Sequence, residues 1–359
     1  MPPNPEDRPN LLVHLAGGVS PSARQAFSQA LTESLFGPEA DQVKPLKNLD
    51  DAIAGYTLDL VPLRKALKLD AEANNTLVHL IRTSLQSLPF GKPRIANSVR
   101  GPQDVLWLIS TTGVDLFDSQ WAVDLATFGV ALDFAFPVPP SPTGPPPTRI
   151  RDNKKTDIGH NLYDGKYATD FNRLSTLFLD GQSKSSILAS MNILATEQRW
   201  CPCAACSPAS PRIQLKHSKA DEHVPDPSVP LEHQPAHTRA YIHHLLHTHE
   251  MSAHALLTVH NLSVVDRFFV DIRGVLERDG VDKFIEEVRK FGDWYDYDEV
   301  AGDVGRDLGE AGEVGVVGGA MGREAKSDWV SVDKARGKGR LAREKEKTGA
   351  AVLEEAEVV

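Results

Sequence analysis

The chain has 359 residues, 41% of them hydrophobic and 25% charged, with a formal net charge of −10. That length suits one large or two ordinary domains, and the apolar residues, gathered mostly before Phe291, are enough for a core. The acidic balance argues against strong autonomous nucleic-acid binding. No apolar run of about 18 residues is present to span a membrane, and the opening MPPNPEDRPN lacks the basic flank and apolar stretch of a signal peptide.

From Leu11 to Asp118, short apolar runs alternate with helical patterns. Leu11–Leu15 reads as a strand and Gly17-Gly18 as a turn. Ser20 then caps a helix whose first turn holds Pro21. Tyr56–Leu60 is a second strand, and Leu77, Leu80, Ile81 and Leu85 follow at helical spacing. Arg94–Val99 is a third. Gly101-Pro102 opens a helix carrying Val105, Leu106, Leu108 and Ile109, and Val114–Phe117 is a fourth strand. Repeated strand–helix units predict an α/β fold with parallel strands under covering helices.

Pro137 to Pro147 (PVPPSPTGPPP) and the polar run Arg149–Lys155 predict a linker over 137–160. Polar stretches at about Gln182–Ser186 and Pro208–Pro235 predict mobile loops. A helical pair is expected over His237–His249 and Ala253–Leu276, then a break at Asp279-Gly280 and a short amphipathic piece over Val281–Phe291. From 293 to 359 the composition falls to Gly, Glu, Val, Lys and Arg, and disorder is expected. Trp294, Tyr295 and Tyr297 are expected to pack loosely back onto the last helix.

Cys201, Cys203 and Cys206 are the chain's three cysteines, and they fall within six residues. An odd number cannot all pair internally, and C-x-C-x-x-C brings three sulfurs round one point. Thiolates packed this way repel unless a divalent cation neutralises them, so a zinc ion with a fourth, histidine ligand is expected. With no cysteine left for a bridge, a reducing cytosol is the natural compartment. Seven histidines lie between His237 and His260. Tyr241, Ile242, Leu245 and Leu246 form an apolar helical face, which puts His243 and His247 on the solvent side. His260 lies in register with Leu256 and Val264 and points inward, making it the expected fourth ligand. His237 is the reserve, and no role is assigned to Asn261.

Several strings, in order, resemble the tRNA-guanine (queuine) transglycosylases: GVDLFD at Gly113–Asp118, NLYDGKYATDF at Asn161–Phe171, CPCAAC at Cys201–Cys206, TRAYIHHLL at Thr238–Leu246 and LLTVHN at Leu256–Asn261. The resemblance covers approximately residues 11–291. It implies exchange of guanine for queuine or its precursor at the wobble position of tRNAs with GUN anticodons, those for aspartate, asparagine, histidine and tyrosine. It also implies a (β/α)₈ barrel with a zinc subdomain inserted after the eighth strand, and one zinc on Cys201, Cys203, Cys206 and His260. The family's nucleophile is an aspartate at the end of a late barrel strand, where the motif places Asp118.

Two departures shape the expected role. Catalytic members follow that aspartate with Cys and then Pro-Thr-Arg, whereas here Ser119-Gln120-Trp121-Ala122-Val123 follows. Tyr56-Thr57-Leu58-Asp59-Leu60 likewise lacks their base-holding Gly-Gly-Leu loop. Both features look like the non-catalytic accessory subunit of the eukaryotic enzyme. In addition, only four strand–helix units precede Asp118, whereas such a barrel needs eight and about 250 residues. The expectation is the C-terminal half-barrel over 1–136, with two unpaired strand edges and the missing half lost by truncation. A zinc subdomain over 161–263 and C-terminal helices over 264–292 would complete the organisation.

The expected function is that of an accessory, metal-binding subunit beside a catalytic queuine tRNA-ribosyltransferase, reaching tRNA through the complex, with no catalytic residue of its own. Part of the face around Tyr241–Leu246 and Val264–Leu276, Phe269 included, is expected to meet that partner. The alternatives are a catalytic transglycosylase using Asp118 and a zinc-stabilised interaction module. Four ligands that leave no water position argue against a zinc hydrolase. The expected location is cytoplasmic, with peripheral association at the mitochondrial outer membrane implied by the resemblance alone.

Overall fold

The computed structural model describes residues 10–67, 73–139, 155–183, 200–209 and 233–296. Most of the Pro-rich linker, the cores of both expected mobile loops and the tail beyond 296 lie outside the described residues.

The first half is a four-stranded parallel sheet in the order β1 (Leu12–His14), β2 (Gly55–Asp59), β3 (Arg94–Asn97), β4 (Leu116–Phe117). The strands stand in chain order, with Val13 opposite Tyr56, Tyr56 opposite Arg94, and Ile95 opposite Leu116. Helices α1 (Pro21–Thr32), α2 (Gly37–Val43), α3 (Leu60–Leu67), α4 (Ala73–Leu85) and α5 (Pro102–Thr112) fill the connections. The Ser20 hydroxyl caps α1 by accepting the Ala23 N–H. Gly113, at φ 67°, ends α5 as a left-handed residue returning its N–H to Ile109 O, so the chain turns sharply into β4.

Sheet burial follows the period of two. Tyr56, Leu58 and Ala96 are buried, while Thr57, Asp59, Ile95 and Asn97 between them are half-buried. The helices form one layer, with α4 packed on α1, α3 and α5. The other row, His14, Thr57, Ile95 and Leu116, ends in an exposed Leu116 on β4, and Leu12, on the same face as His14 at the opposite edge, is exposed too. β1 and β4 each have one hydrogen-bonded neighbour among the described strands.

The second half is built differently. After α6 (Gln120–Thr127), β5 (Val130–Leu132) is wholly buried and pairs antiparallel with β7 (Gly159–Asn161). β6 (Thr156–Asp157) pairs with β8 (Tyr295–Asp296). Helix α7 (Arg239–His247) precedes the long α8 (Met251–Trp294), which packs on α5, α6, α7 and β5. The break expected at Asp279-Gly280 occurs at Gly280, whose φ of 78° and ψ of −179° are non-helical. α8 also runs unbroken through 263–264, where a unit boundary is expected from sequence.

One expectation changes. Tyr295 is fully packed: its hydroxyl accepts the Ala135 N–H at 3.2 Å and its ring lies 4.7 Å from Phe291. Phe269 belongs to the interior contacts of α8, with its ring stacked on Phe117 at 6.1 Å and 17°. Between its two ends, at Met251 and Trp294, the exposed apolar residues of that helix are Val259, Leu262, Val270, Val281 and Ile285.

Candidate metal centre

The cysteine run is held by its own backbone. Cys201 N–H donates to Leu179 O (3.0 Å), Ser207 N–H to Cys203 O (2.8 Å) and the Ser207 hydroxyl to Cys201 O (2.6 Å). The Cys206 N–H points at the Cys203 sulfur, 3.3 Å away, where an amide dipole favours a thiolate. The loop is closed from outside by His237, whose N–H donates to Ala205 O at 2.8 Å.

His260 reaches this loop from α8. Its Nδ1 lies 3.8 Å from Cys201 Sγ, 3.7 Å from Cys203 Sγ and 3.3 Å from Cys206 Sγ. All four ligand atoms lie within 4.8 Å of one another, and all four residues are buried. A tetrahedral ion with bonds of about 2.3 Å to sulfur and 2.0 Å to nitrogen would separate nitrogen from sulfur by about 3.5 Å. The observed spacings bracket that value.

The donor chemistry agrees. His260 Nε2 is 2.9 Å from Leu132 O, and a carbonyl only accepts, so Nε2 carries the proton. In the neutral ring, Nδ1 then presents its lone pair to the sulfurs, with the carbonyl fixing the tautomer from behind. Without a cation the four groups cannot all take their ligand forms. Burial disfavours a charged His260, but hydrogen bonds with Cys201 and Cys203 outweigh it and hold its pKa at about 10. Hydrogen bonding with those sulfurs, then burial, pushes the Cys206 thiol up. A divalent cation removes the conflict by stabilising three thiolates and a neutral imidazole together.

The other histidines stand apart. His237 is outside the cluster, with its ring 4.9 Å from Tyr241. His243, expected to face solvent, is half-buried, and its Nδ1 bonds Leu162 O at 2.8 Å because α7 lies against the segment following β7. His247 is exposed and contacts Tyr163 O at 3.3 Å.

A second polar cluster, unforeseen from sequence, lies beside the centre. Asp133 follows β5 and is buried, accepting from the Ser175 hydroxyl, Thr176 N–H (3.0 Å) and Thr176 Oγ1 (2.9 Å). His160 Nε2 is 3.1 Å from Asp133 and 2.8 Å from Arg239 Nη2, and its Nδ1 is 3.0 Å from Tyr167 Oη. Arg239, almost fully buried, also pairs with Asp170 at 3.2 Å. Burial acts to raise the Asp133 pKa, but the contacts with His160, Ser175 and Thr176 more than offset it and hold the carboxyl well below its usual range. The available signal was polar: Asp133 interrupts an otherwise apolar run from Val130 to Phe136.

Asp118 lies just past β4, half-buried. Its Oδ2 accepts the Ser98 N–H, and its buried Oδ1 has no protein hydrogen-bond partner.

Residues 8–291 match the family model described as queuine tRNA-ribosyltransferase. The chain is similar to proteins named queuine tRNA-ribosyltransferase accessory subunit 2. That of Aedes aegypti is 25% identical over 262 residues, covering 73% of this chain and 47% of the relative. That of Homo sapiens is 28% identical over 235 residues, covering 59% and 43%. That of Schizosaccharomyces pombe is 25% identical over 255 residues, covering 70% and 42%. The chain thus spans a little under half the length of these relatives.

Proposed function

Because this chain belongs to the queuine tRNA-ribosyltransferase family, we propose that it acts as the accessory, non-catalytic side of a heterodimeric enzyme that exchanges guanine for queuine in tRNA. The observation that carries this reading is the similarity to proteins named accessory subunit 2 from insect, human and yeast. The setting of Asp118 supports it. One carboxylate oxygen is occupied by a backbone N–H, and Ser119-Gln120-Trp121 leads directly into α6.

In this reading Cys201, Cys203, Cys206 and His260 hold one zinc. When bound, the ion supplies structure and no catalysis, since four protein ligands close its coordination sphere. The parallel units up to residue 136 form half of a (β/α)₈ barrel, and residues 161–263 form the zinc subdomain. The partner is a catalytic subunit, and tRNA is engaged through the complex. No described helix is long and apolar enough to cross a membrane, and a cytoplasmic location is proposed.

The test is coexpression with a catalytic transglycosylase subunit, followed by copurification and base exchange with labelled queuine. Stable association, with activity only when both subunits are present, supports the reading; failure to associate removes it. The alternative of a self-sufficient transglycosylase is favoured by one observation, the hydrogen-bond-free Asp118 Oδ1 at the C-terminal edge of a parallel sheet. It predicts exchange by this chain alone.

A further inference from the structure

Among the described residues, β5 has a strand neighbour on one side only. Backbone groups alternate along a strand, and the set facing β7 comes from Gly129, Ala131 and Asp133: Leu162 N–H donates to Gly129 O (2.9 Å) and Asp133 N–H to Ile158 O (2.8 Å). The groups of Val130 and Leu132 face the other way, into the interior, where unpaired polar atoms are costly.

α8 meets them with side chains. Asn261 Oδ1 accepts the Leu132 N–H at 2.9 Å, and Asn261 Nδ2 donates to Val130 O and to Ala122 O, each at 3.0 Å. The next residue back, His260, donates from Nε2 to Leu132 O at 2.9 Å. Neither side chain has any exposure. Two consecutive residues of a helix thus occupy the place of a neighbouring strand, and one of them is the imidazole aimed at the three sulfurs.

We infer that Asn261 is a positioning residue of the metal centre, a role that rests on reading Cys201, Cys203, Cys206 and His260 as metal ligands. The Asn261 amide fixes the N-terminal flank of Leu132 and the Asp133 N–H bond to Ile158 O fixes the other, so the Leu132 carbonyl is held toward His260 Nε2. That bond sets the tautomer and turns the Nδ1 lone pair toward the sulfurs. Without the amide, Leu132 N–H and Val130 O must find other partners. β5 then shifts, and the carbonyl that orients the imidazole shifts with it. Groups behind metal-ligating imidazoles change metal affinity by about 10–100-fold when removed.

The experiment uses the full chain and Co²⁺ as the probe, with affinity from chelator competition and coordination from the thiolate charge-transfer and ligand-field bands. Wild type is compared with Asn261→Ala, Asn261→Asp and Leu108→Ala, the last a wholly buried α5 position that lowers stability and belongs neither to β5 nor to the cysteine loop. Asn261→Asp keeps an acceptor for Leu132 N–H and carries the test if Asn261→Ala fails to fold. The expected result is affinity about 10–100-fold weaker with shifted ligand-field bands in the Asn261 variants, and wild-type affinity and bands in Leu108→Ala. Wild-type affinity and bands in the Asn261 variants overturn the inference and leave the metal centre standing. A wild-type chain that takes up no more Co²⁺ than Cys203→Ala overturns the metal reading itself, and the inference with it.

Discussion

The backbone N–H of Ser98 donates to the carboxylate of Asp118, joining the residues that follow two adjacent parallel strands. Ser98 has a φ of 66°, a left-handed conformation that disfavours a side chain by about 1 kcal/mol. It is held there from both sides: Arg64 donates to Ser98 O at 3.1 Å and pairs with Asp104 at 2.5 Å. Asp118 therefore serves a backbone turn through Oδ2, while its Oδ1 has no protein hydrogen-bond partner.

Replacing Asp118 tests that division of labour. Asp118→Ala leaves a part-buried N–H unmet and should cost about 1–3 kcal/mol, whereas Asp118→Asn, which keeps an acceptor, should cost less. Urea unfolding gives the stabilities. In parallel, the wild-type chain alone should incorporate no labelled queuine into unmodified tRNA. Stoichiometric incorporation would return Asp118 to the role of nucleophile.

Removing one sulfur should remove the metal. Cys203→Ala is expected to lower metal content and to loosen α7 and the first part of α8, because a structural zinc supplies on the order of 10 kcal/mol to its local fold. Elemental analysis and proteolysis check the two halves of this claim. Full occupancy in the variant would count against the assignment.

Phe269 stacks on Phe117, whereas Leu262 and Val270 of the same helix are exposed. Phe269→Asp should cost about 3 kcal/mol or more by breaking the stack on Phe117. Val270→Asp and Leu262→Asp, at exposed positions, should change stability by no more than about 0.5 kcal/mol. If α8 docks a catalytic subunit through this face, both exposed variants lose copurification while remaining folded and metal-loaded. Undiminished copurification of the double variant sinks the idea.

Asp133 makes a pH prediction. Its folded pKa lies below the unfolded value of about 3.9, so as pH falls the unfolded chain takes up the proton first. Its contribution is complete above about pH 5 and declines below about pH 4. Asp133→Asn should be less stable than wild type at neutral pH, with the gap closing in acid. Paired urea midpoints from pH 3 to 7 measure it, and a gap independent of pH refutes it.

Local signals made half of this molecule legible. The β1–β4 strands fall within two residues of their apolar runs, since each is bounded by turn residues and covered on one face. Ser20 and Gly280 act where their chemistry predicts. The four candidate ligands were readable because three are sequential and His260 keeps the helical period of its apolar neighbours. What escaped depends on distance along the chain. Leu132 and Asn261 are 129 residues apart, and Asp133 meets Ser175 over a separation of 42, so no local period encodes either contact. The side chosen for His243 failed because an amphipathic face does not reveal that a second segment covers its polar flank.

The bend at Gly280 governs more than the shape of one helix. A Cβ there would touch nothing within 4 Å, so a side chain at this position is opposed by the backbone conformation of one residue and not by packing. The bend returns the last arm of α8 so that Phe284 and Phe291 lie on Phe136 and Phe134, ring centroids 5.8 Å apart in each pair. The segment leaving β5 is thus gripped by both arms of one helix, at His260-Asn261 before the bend and by aromatic rings after it. Residues this tightly shared should open as one cooperative unit. In native-state hydrogen exchange, amides of β5, β7 and both arms of α8 should share a single opening free energy, distinct from that of the parallel sheet. An alanine at position 280 should lower that energy alone.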